Sequence, residues 1–359
     1  MTKEHKPRYS NSFAAPDIKL RLRNLVSIGL LLAVFFISYY HFAQAENNSS
    51  FIPDYIWGYQ GQVAFFEYNG KIGLLHKDGR ILADAIYEDV YPFHDGFAAV
   101  QENGLWGLID LNGKVISQPQ WDFVNLPFEG LVAVQKEKWG FINTSGELII
   151  PTVWDTVSRF SEGMVYVGKD KKYGFIDHKG NVVIDLEWDN IGPFSEGLAF
   201  VWKNRQAFCI NVAGEIVFQA NAQPISGYQE SLAFIKEGNK YGFIDKKGNY
   251  VIEPQFTDGW GFSQGLAAVE LNGAWCFINH TGTVILDERW EDAQFFSNGL
   301  APVKKNGKWG YIDLNGNVVF DYQWDRARFF LNVHASVRKN RVDGYINLQG
   351  EYICGIKEP

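Results

Sequence analysis

Methionine is almost absent from this chain of 359 residues, at two, and long runs of helix formers free of glycine and aromatics are missing. That excludes a helical bundle and a coiled coil, both of which need such runs. Cysteine is scarce as well: Cys209, Cys276 and Cys354. Three thiols cannot all pair within one chain, and no CxxC or Cys/His cluster exists, so neither a disulfide framework nor a zinc site is expected. Each cysteine is expected to fill a small apolar slot. No two of the seven histidines stand at metal-ligand spacing. Nucleophile-elbow, P-loop and dinucleotide-binding motifs are also missing. The expectation is therefore no catalytic residue, no metal and no cofactor.

What the chain does hold is 36 glycines, 16% aromatic residues and 46% hydrophobic residues overall. That mixture predicts many short strands joined by tight turns around a large core. The net charge is −8, but it is unevenly spread. Residues 1–45 carry six of the 33 basic residues and two of the 41 acidic ones, which leaves 27 against 39, a net of −12, for the rest. An acidic body repels phosphate backbones and anionic lipid surfaces. Nucleic acid is therefore disfavoured as a partner, and membrane contact is expected only through the N-terminal segment.

That segment divides into a basic stretch over 1–24 and an apolar stretch over 25–45. The run from Leu25 to Phe42 has no Lys, Arg, Asp or Glu and approaches the length of a membrane span. Arg21 and Arg23 precede it, which places the N-terminus in the cytoplasm and everything after residue 45 outside. Ala43-Gln44-Ala45 follows the run and suits a signal peptidase cutting after Ala45. Both a transmembrane anchor and a cleaved signal remain open. Either one makes the body extracytoplasmic, periplasmic or at the cell surface.

The body is a repeat. Trp106-Gly107, Trp139-Gly140, Tyr173-Gly174, Tyr241-Gly242 and Trp309-Gly310 recur at steps of 33 or 34 residues, one step being double. Ile72-Gly73, Ala207-Phe208, Trp275-Cys276 and Asp343-Gly344 are weaker copies. Glycine also recurs at 79, 113, 146, 180, 214, 248, 282, 316 and 350, inside phrases such as Ile176-Asp177-His178-Lys179-Gly180. Two apolar runs joined this way predict a hairpin, with Asp or Asn bonding the turn and Gly supplying a positive φ. A third column is Trp followed by an acid, at Trp121-Asp122, Trp154-Asp155, Trp188-Asp189, Trp290-Glu291 and Trp324-Asp325. Glu88 belongs to the same acidic column, whose carboxylates are expected to cap local backbone N–H groups. A fourth column reads F-S-[E/Q/N]-G-L-A, starting at Phe160, Phe262 and Phe296 among others.

Each unit is expected to be a meander of three strands, L-A-x-V, W-G-F-I and V-V-I. Nine such units are expected over 63–354, after a linker at 46–62. Three strands cannot enclose a core, so stacking must close it, with tryptophans in the seams. The predicted fold is all-β. An open β-solenoid or superhelix is favoured over a propeller-like ring, because propeller blades usually take four strands over about 40 residues.

The phrase G-K-W-G-[F/Y]-I-D-x-x-G-x-V-V resembles the WG-repeat, or KWG-repeat, family of bacterial proteins. Residues 306–319 (NGKWGYIDLNGNVV) carry it nearly letter for letter, and 137–146 and 239–251 closely. The copy at 205–231 departs most, with Ala207, Phe208 and Ala222 at three marker positions. The resemblance implies a β-repeat scaffold that mediates binding and supplies no catalytic residue.

Candidate binding residues are those off the pattern. Trp57, Trp202 and Trp260 lie outside both Trp columns. Trp202 shares its column with Gln101, Gln135 and Lys236, and Trp260 with Ser158, Gly192, Gln294 and Arg328. Both are therefore expected to be exposed. Arg205 and Tyr228 join them as candidates, since exposed aromatics beside Arg suit a partner surface. The expected function is a non-enzymatic binding or scaffold module contacting protein or cell-envelope glycan. The alternatives are a glycan-active enzyme with its site across the array and a structural envelope spacer.

Overall fold

The computed structural model describes residues 53–354 apart from residue 332. The expected membrane segment from Leu25 to Phe42 and the cleavage position at Ala45 lie outside the described residues. Among the described residues there is no helix.

Nine antiparallel sheets of four strands each follow one another along the chain, at 55–87, 89–121, 123–154, 156–188, 190–219, 223–256, 258–290, 292–324 and 326–354. Each sheet is a simple meander whose strands pair only with one another. That corrects two expectations. The unit has four strands, not three. The extra one is a short opening strand such as Asp89–Val90 or Asn190–Ile191, drawn from the stretch after Trp-Asp. In six blades it has only two residues, too few to show any alternation, which is why the pattern concealed it; in blades 1, 3 and 6 it runs six or seven. The array is also a nine-bladed propeller rather than a solenoid. In a solenoid the strands of successive units would bond into continuous sheets. Here each sheet is complete in itself and meets its neighbours through side chains, as blades do. The first blade begins at Tyr55–Gln60, inside the stretch expected to be linker.

The second and third strands of blades 1 to 8 are buried on both faces, and so read as largely apolar runs, whereas in blade 9 one face is open, with Tyr345 exposed. In blade 5, Ala199, Val201 and Ile210 pack toward blade 4, while Leu198, Phe200 and Cys209 pack toward blade 6. Eight apolar clusters lie this way between successive blades. The fourth strand alternates exposed and buried residues, as a half-covered edge should.

The two Trp columns turn out to be cross-strand partners. Trp106 faces Trp121, Trp139 faces Trp154, Trp275 faces Trp290 and Trp309 faces Trp324. Each pair fills the seam to the next blade, as Trp309 and Trp324 do beside Ala335 and Val337. The glycine after the first Trp is needed because the fourth strand bulges over it. A Cβ on Gly140 would lie 2.5 Å from the Ile150 carbonyl oxygen.

The hairpin glycine between the third and fourth strands is required twice over. Gly146 has φ +87, and a Cβ there would meet the Ile116 carbonyl oxygen of the preceding blade at 2.1 Å. Its turn is closed as expected: Asn143 Oδ1 accepts the N–H groups of Ser145 and Glu147. Asp177, Asp245 and Asp313 do the same in later blades.

Candidate functional site

The acidic column after Trp is structural. Asp155 Oδ2 accepts the N–H of Asp170, Asp189 that of Asn204 and Asp325 that of Asn340, all within the blade. The other carboxylate oxygen pairs across the seam, with Lys138, Lys172 and Lys308 of the preceding blade. Those lysines hold the three carboxyls below the usual Asp range.

The F-S-E-G stretch is a second seam device. Residues such as Glu162 (φ 55) and Gly163 (φ 80) are both left-handed, giving a two-residue hairpin turn. From each turn the serine hydroxyl donates to the next blade's carbonyl: Ser161 to Phe194 at 3.0 Å, Ser263 to Phe296 at 2.7 Å and Ser297 to Phe330 at 2.6 Å. The acid accepts the next turn's N–H: Glu129 from Gly163, Glu162 from Gly197 and Glu230 from Gly265. Glu129 and Glu230 also meet a histidine of the following blade, His178 and His280, and Glu196, at the same place in blade 5, pairs with Lys246. These carboxylates are thus committed to holding blades together. Among the described residues no group of His, Cys, Asp and Glu could hold a metal ion.

The four candidate residues do not share one surface. Tyr228 is 1% exposed, lies in the seam between blades 5 and 6, stacks on Phe200 and donates its hydroxyl to the Asp245 carbonyl. Burial pushes its pKa up. Trp202 is half-buried against the same seam. Its expected exposure is corrected because its strand partner is Ala207, where other blades carry an aromatic. Arg205 is exposed on the following turn with φ +65. Trp260 is half-buried two blades away, on the seam between blades 7 and 8, and its Nε1–H donates to the Ala293 carbonyl at 3.0 Å. Its expected exposure is corrected likewise. The side chain of Trp57 lies outside the described residues.

What the structure does assemble around Trp260 is an aromatic row. Trp260 of blade 7 meets Phe295 of blade 8 edge-on, with ring centroids 5.5 Å apart. Phe295 in turn meets Phe329 of blade 9, at 4.2 Å. Phe295 and Phe329 are half-buried. Gln294 secures the row: its Nε2–H donates to the Ala327 carbonyl at 3.2 Å, and its Oε1 accepts the Phe329 N–H at 3.1 Å. Arg326 and Arg328, which precede Phe329 in the chain, are exposed. The equivalent positions in blades 4 to 6 are Ser158-Arg159, Gly192-Pro193 and Ser226-Gly227. The fold therefore does not need aromatics there. The doublets Phe295-Phe296 and Phe329-Phe330 were the overlooked signal: one Phe of each belongs to the core column, which leaves the other spare.

Seven stretches match the family described as WG containing repeat: 72–106, 106–138, 139–173, 173–205, 241–275, 275–309 and 309–341. The chain belongs to the WG-repeat family. The stretch of this WG-repeat protein left between matches, 206–240, contains Ala207 and Ala222, where the paired columns fail. Among curated proteins none matches the chain. A solved eukaryotic initiation factor superposes with a TM-score of 0.56 at 10% identity, over 83% of this chain and 96% of that one, a likeness of fold alone. BamB from Moraxella catarrhalis gives a TM-score of 0.38 at 14% identity, over 75% of this chain and 91% of that one.

Proposed function

We propose that this WG-repeat protein is a non-enzymatic extracytoplasmic binding or scaffold protein whose partner, protein or cell-envelope glycan, docks on blades 7 to 9. The observation that carries this reading is the row Trp260, Phe295 and Phe329. It runs over three successive blades at positions where blades 4 to 6 carry Ser, Gly, Pro or Arg. Aromatic rings held in place by backbone hydrogen bonds offer contact area at little entropic cost. The two acidic columns are spoken for by backbone N–H groups and lysines, which supports a structural role for them over acid–base chemistry. The apolar run from Leu25 to Phe42, with Arg21 and Arg23 before it, supports an exported body attached through its N-terminus or released after Ala45.

Affinity purification of the full chain from membranes tests this. A partner should be recovered with the wild type and lost with the Phe295→Ala, Phe329→Ala double variant, which loses some stability with its ring contact but should still be folded by circular dichroism at the assay temperature. Equal recovery with both chains overturns the site. The mass of the recovered chain reports whether cleavage after Ala45 has occurred.

A further inference from the structure

We propose that the seam between blades 5 and 6 is a binding seat for an indole ring, taken up beside Ala222 with its N–H on the Tyr250 hydroxyl. The seat lies apart from the aromatic row of blades 7 to 9 and does not depend on it.

The second Trp column carries a ring in blades 1 to 8 with one exception, blade 5, where Ala222 stands. The matching loss at Ala207 is made good by Trp202 across the sheet, but Trp202 does not line the space beside Ala222. That space is a cleft partly open to solvent, about 230 Å³ with its mouth included, walled by Phe218, Ile244, Gly248 and Tyr250.

The shape of the cleft is explained three blades on. The seam between blades 8 and 9 has Phe320, Ile346, Gly350 and Tyr352 at the same four positions, and Trp324 where blade 5 has Ala222. The Trp324 indole meets Phe320 edge-on, with centroids 6.4 Å apart, and its Nε1–H donates to the Tyr352 hydroxyl at 3.0 Å. The walls stand alike in both seams: a Cβ on Gly248 would lie 2.7 Å from the Phe218 ring, and one on Gly350 2.7 Å from the Phe320 ring. Blade 5 has therefore kept the phenyl wall, the isoleucine and the phenol, and lacks only the indole between them.

Nor has the backbone closed over the gap. The fourth strand of blade 5 stops at Gln219, yet the Ala220 N–H still donates to the Ala207 carbonyl at 2.9 Å, and the Ala220 carbonyl accepts the Gln206 side-chain amide at 3.0 Å. The Tyr250 hydroxyl donates to Glu237 Oε2 at 2.9 Å, which leaves its oxygen lone pairs for an incoming N–H. An indole brings that donor together with a large apolar face, which neither a phenyl nor an aliphatic group does. A seat already formed costs the protein little ordering on binding.

The test follows a ring-fluorinated indole, and the N-acetyl amide of ring-fluorinated tryptophan, by fluorine NMR as the full chain is titrated in. At least one should bind saturably, one per chain. Binding of the indole alone marks a free small molecule as the ligand; binding of the amide marks a tryptophan presented by another chain. N-methylindole has no N–H and should compete about fivefold more weakly than indole, the effect of one lost hydrogen bond. Tyr250→Phe should erase that difference. Ala222→Trp should abolish binding and raise the melting temperature, its own indole filling the seat. Phe295→Ala should bind as the wild type does. Absence of saturable binding by both ligands overturns the proposal, as does undiminished binding to Ala222→Trp or loss of binding in Phe295→Ala. Should Ala222→Trp fail to fold, Tyr250→Phe decides: a preference for indole over N-methylindole that survives in this variant overturns the seat.

Discussion

Trp202 stands directly across the sheet from Ala207, the residue where the Trp-Gly column of six other blades carries its aromatic. Cross-strand partners share a face, so the indole has changed strands while still packing into the seam toward blade 6. Trp202→Gln should cost about 2–3 kcal/mol, somewhat less than truncation of a fully buried Trp. Adding Ala207→Trp to that variant should recover most of the loss. Denaturant unfolding of the four chains of this double-mutant cycle measures the coupling. Strict additivity would show that the two positions do not exchange one filler.

The two classes of left-handed glycine should respond differently to alanine. At Gly163 (φ +80) a Cβ meets nothing within 4 Å, so Gly163→Ala should cost only the backbone term, about 1–2 kcal/mol. Gly146→Ala adds a collision with the Ile116 carbonyl and should cost clearly more. Equal losses in thermal unfolding would refute the interblade role of that hairpin.

The serine row should contribute additively. Ser161→Ala, Ser263→Ala and Ser297→Ala each remove one hydroxyl bond to the next blade, worth about 1 kcal/mol. They lie in different seams, so the triple variant should lose about the sum. A triple variant as stable as the wild type would show that water replaces the row without loss.

Acid should loosen the seams. Lys138, Lys172 and Lys308 hold Asp155, Asp189 and Asp325 below the usual carboxylate range. A carboxylate with a depressed folded pKa contributes stability above its unfolded value of about 3.9, and that contribution is lost as pH falls through the folded value. The unfolding midpoint should therefore be flat from neutral pH to about 5 and fall below about 4. Asp189→Asn should flatten part of that fall. An unchanged acid limb would exclude these ion pairs as its source.

The buried thiols should be inert. Cys209 and Cys276 are fully buried, and burial pushes the Cys209 thiol up to about 11. Since the thiolate is the reacting species, iodoacetamide at neutral pH should leave both unlabelled in the folded chain and label both in guanidinium. Labelling of either in the native protein would show that its seam opens.

Much of the fold was written in periodicity. A 34-residue ruler anchored on Trp-Gly and on the hairpin glycine gave nine units, three of the four strands in each, and the tryptophans as seam fillers. Those features are local or recur at fixed spacing, so sequence alone determines them. Three things were decided only by tertiary structure. In six blades the opening strand is two residues long, and only its neighbour in the sheet makes it a strand. Blades rather than solenoid turns result because every sheet is complete after four strands, which is a matter of pairing, not composition. The exposure of Trp202 and Trp260 was misread because a column is an average over blades. Whether an off-column ring is covered depends on what its partner strand and the next blade lack or supply: Ala207 opposite Trp202, and the Ala293 carbonyl and Phe295 ring beside Trp260.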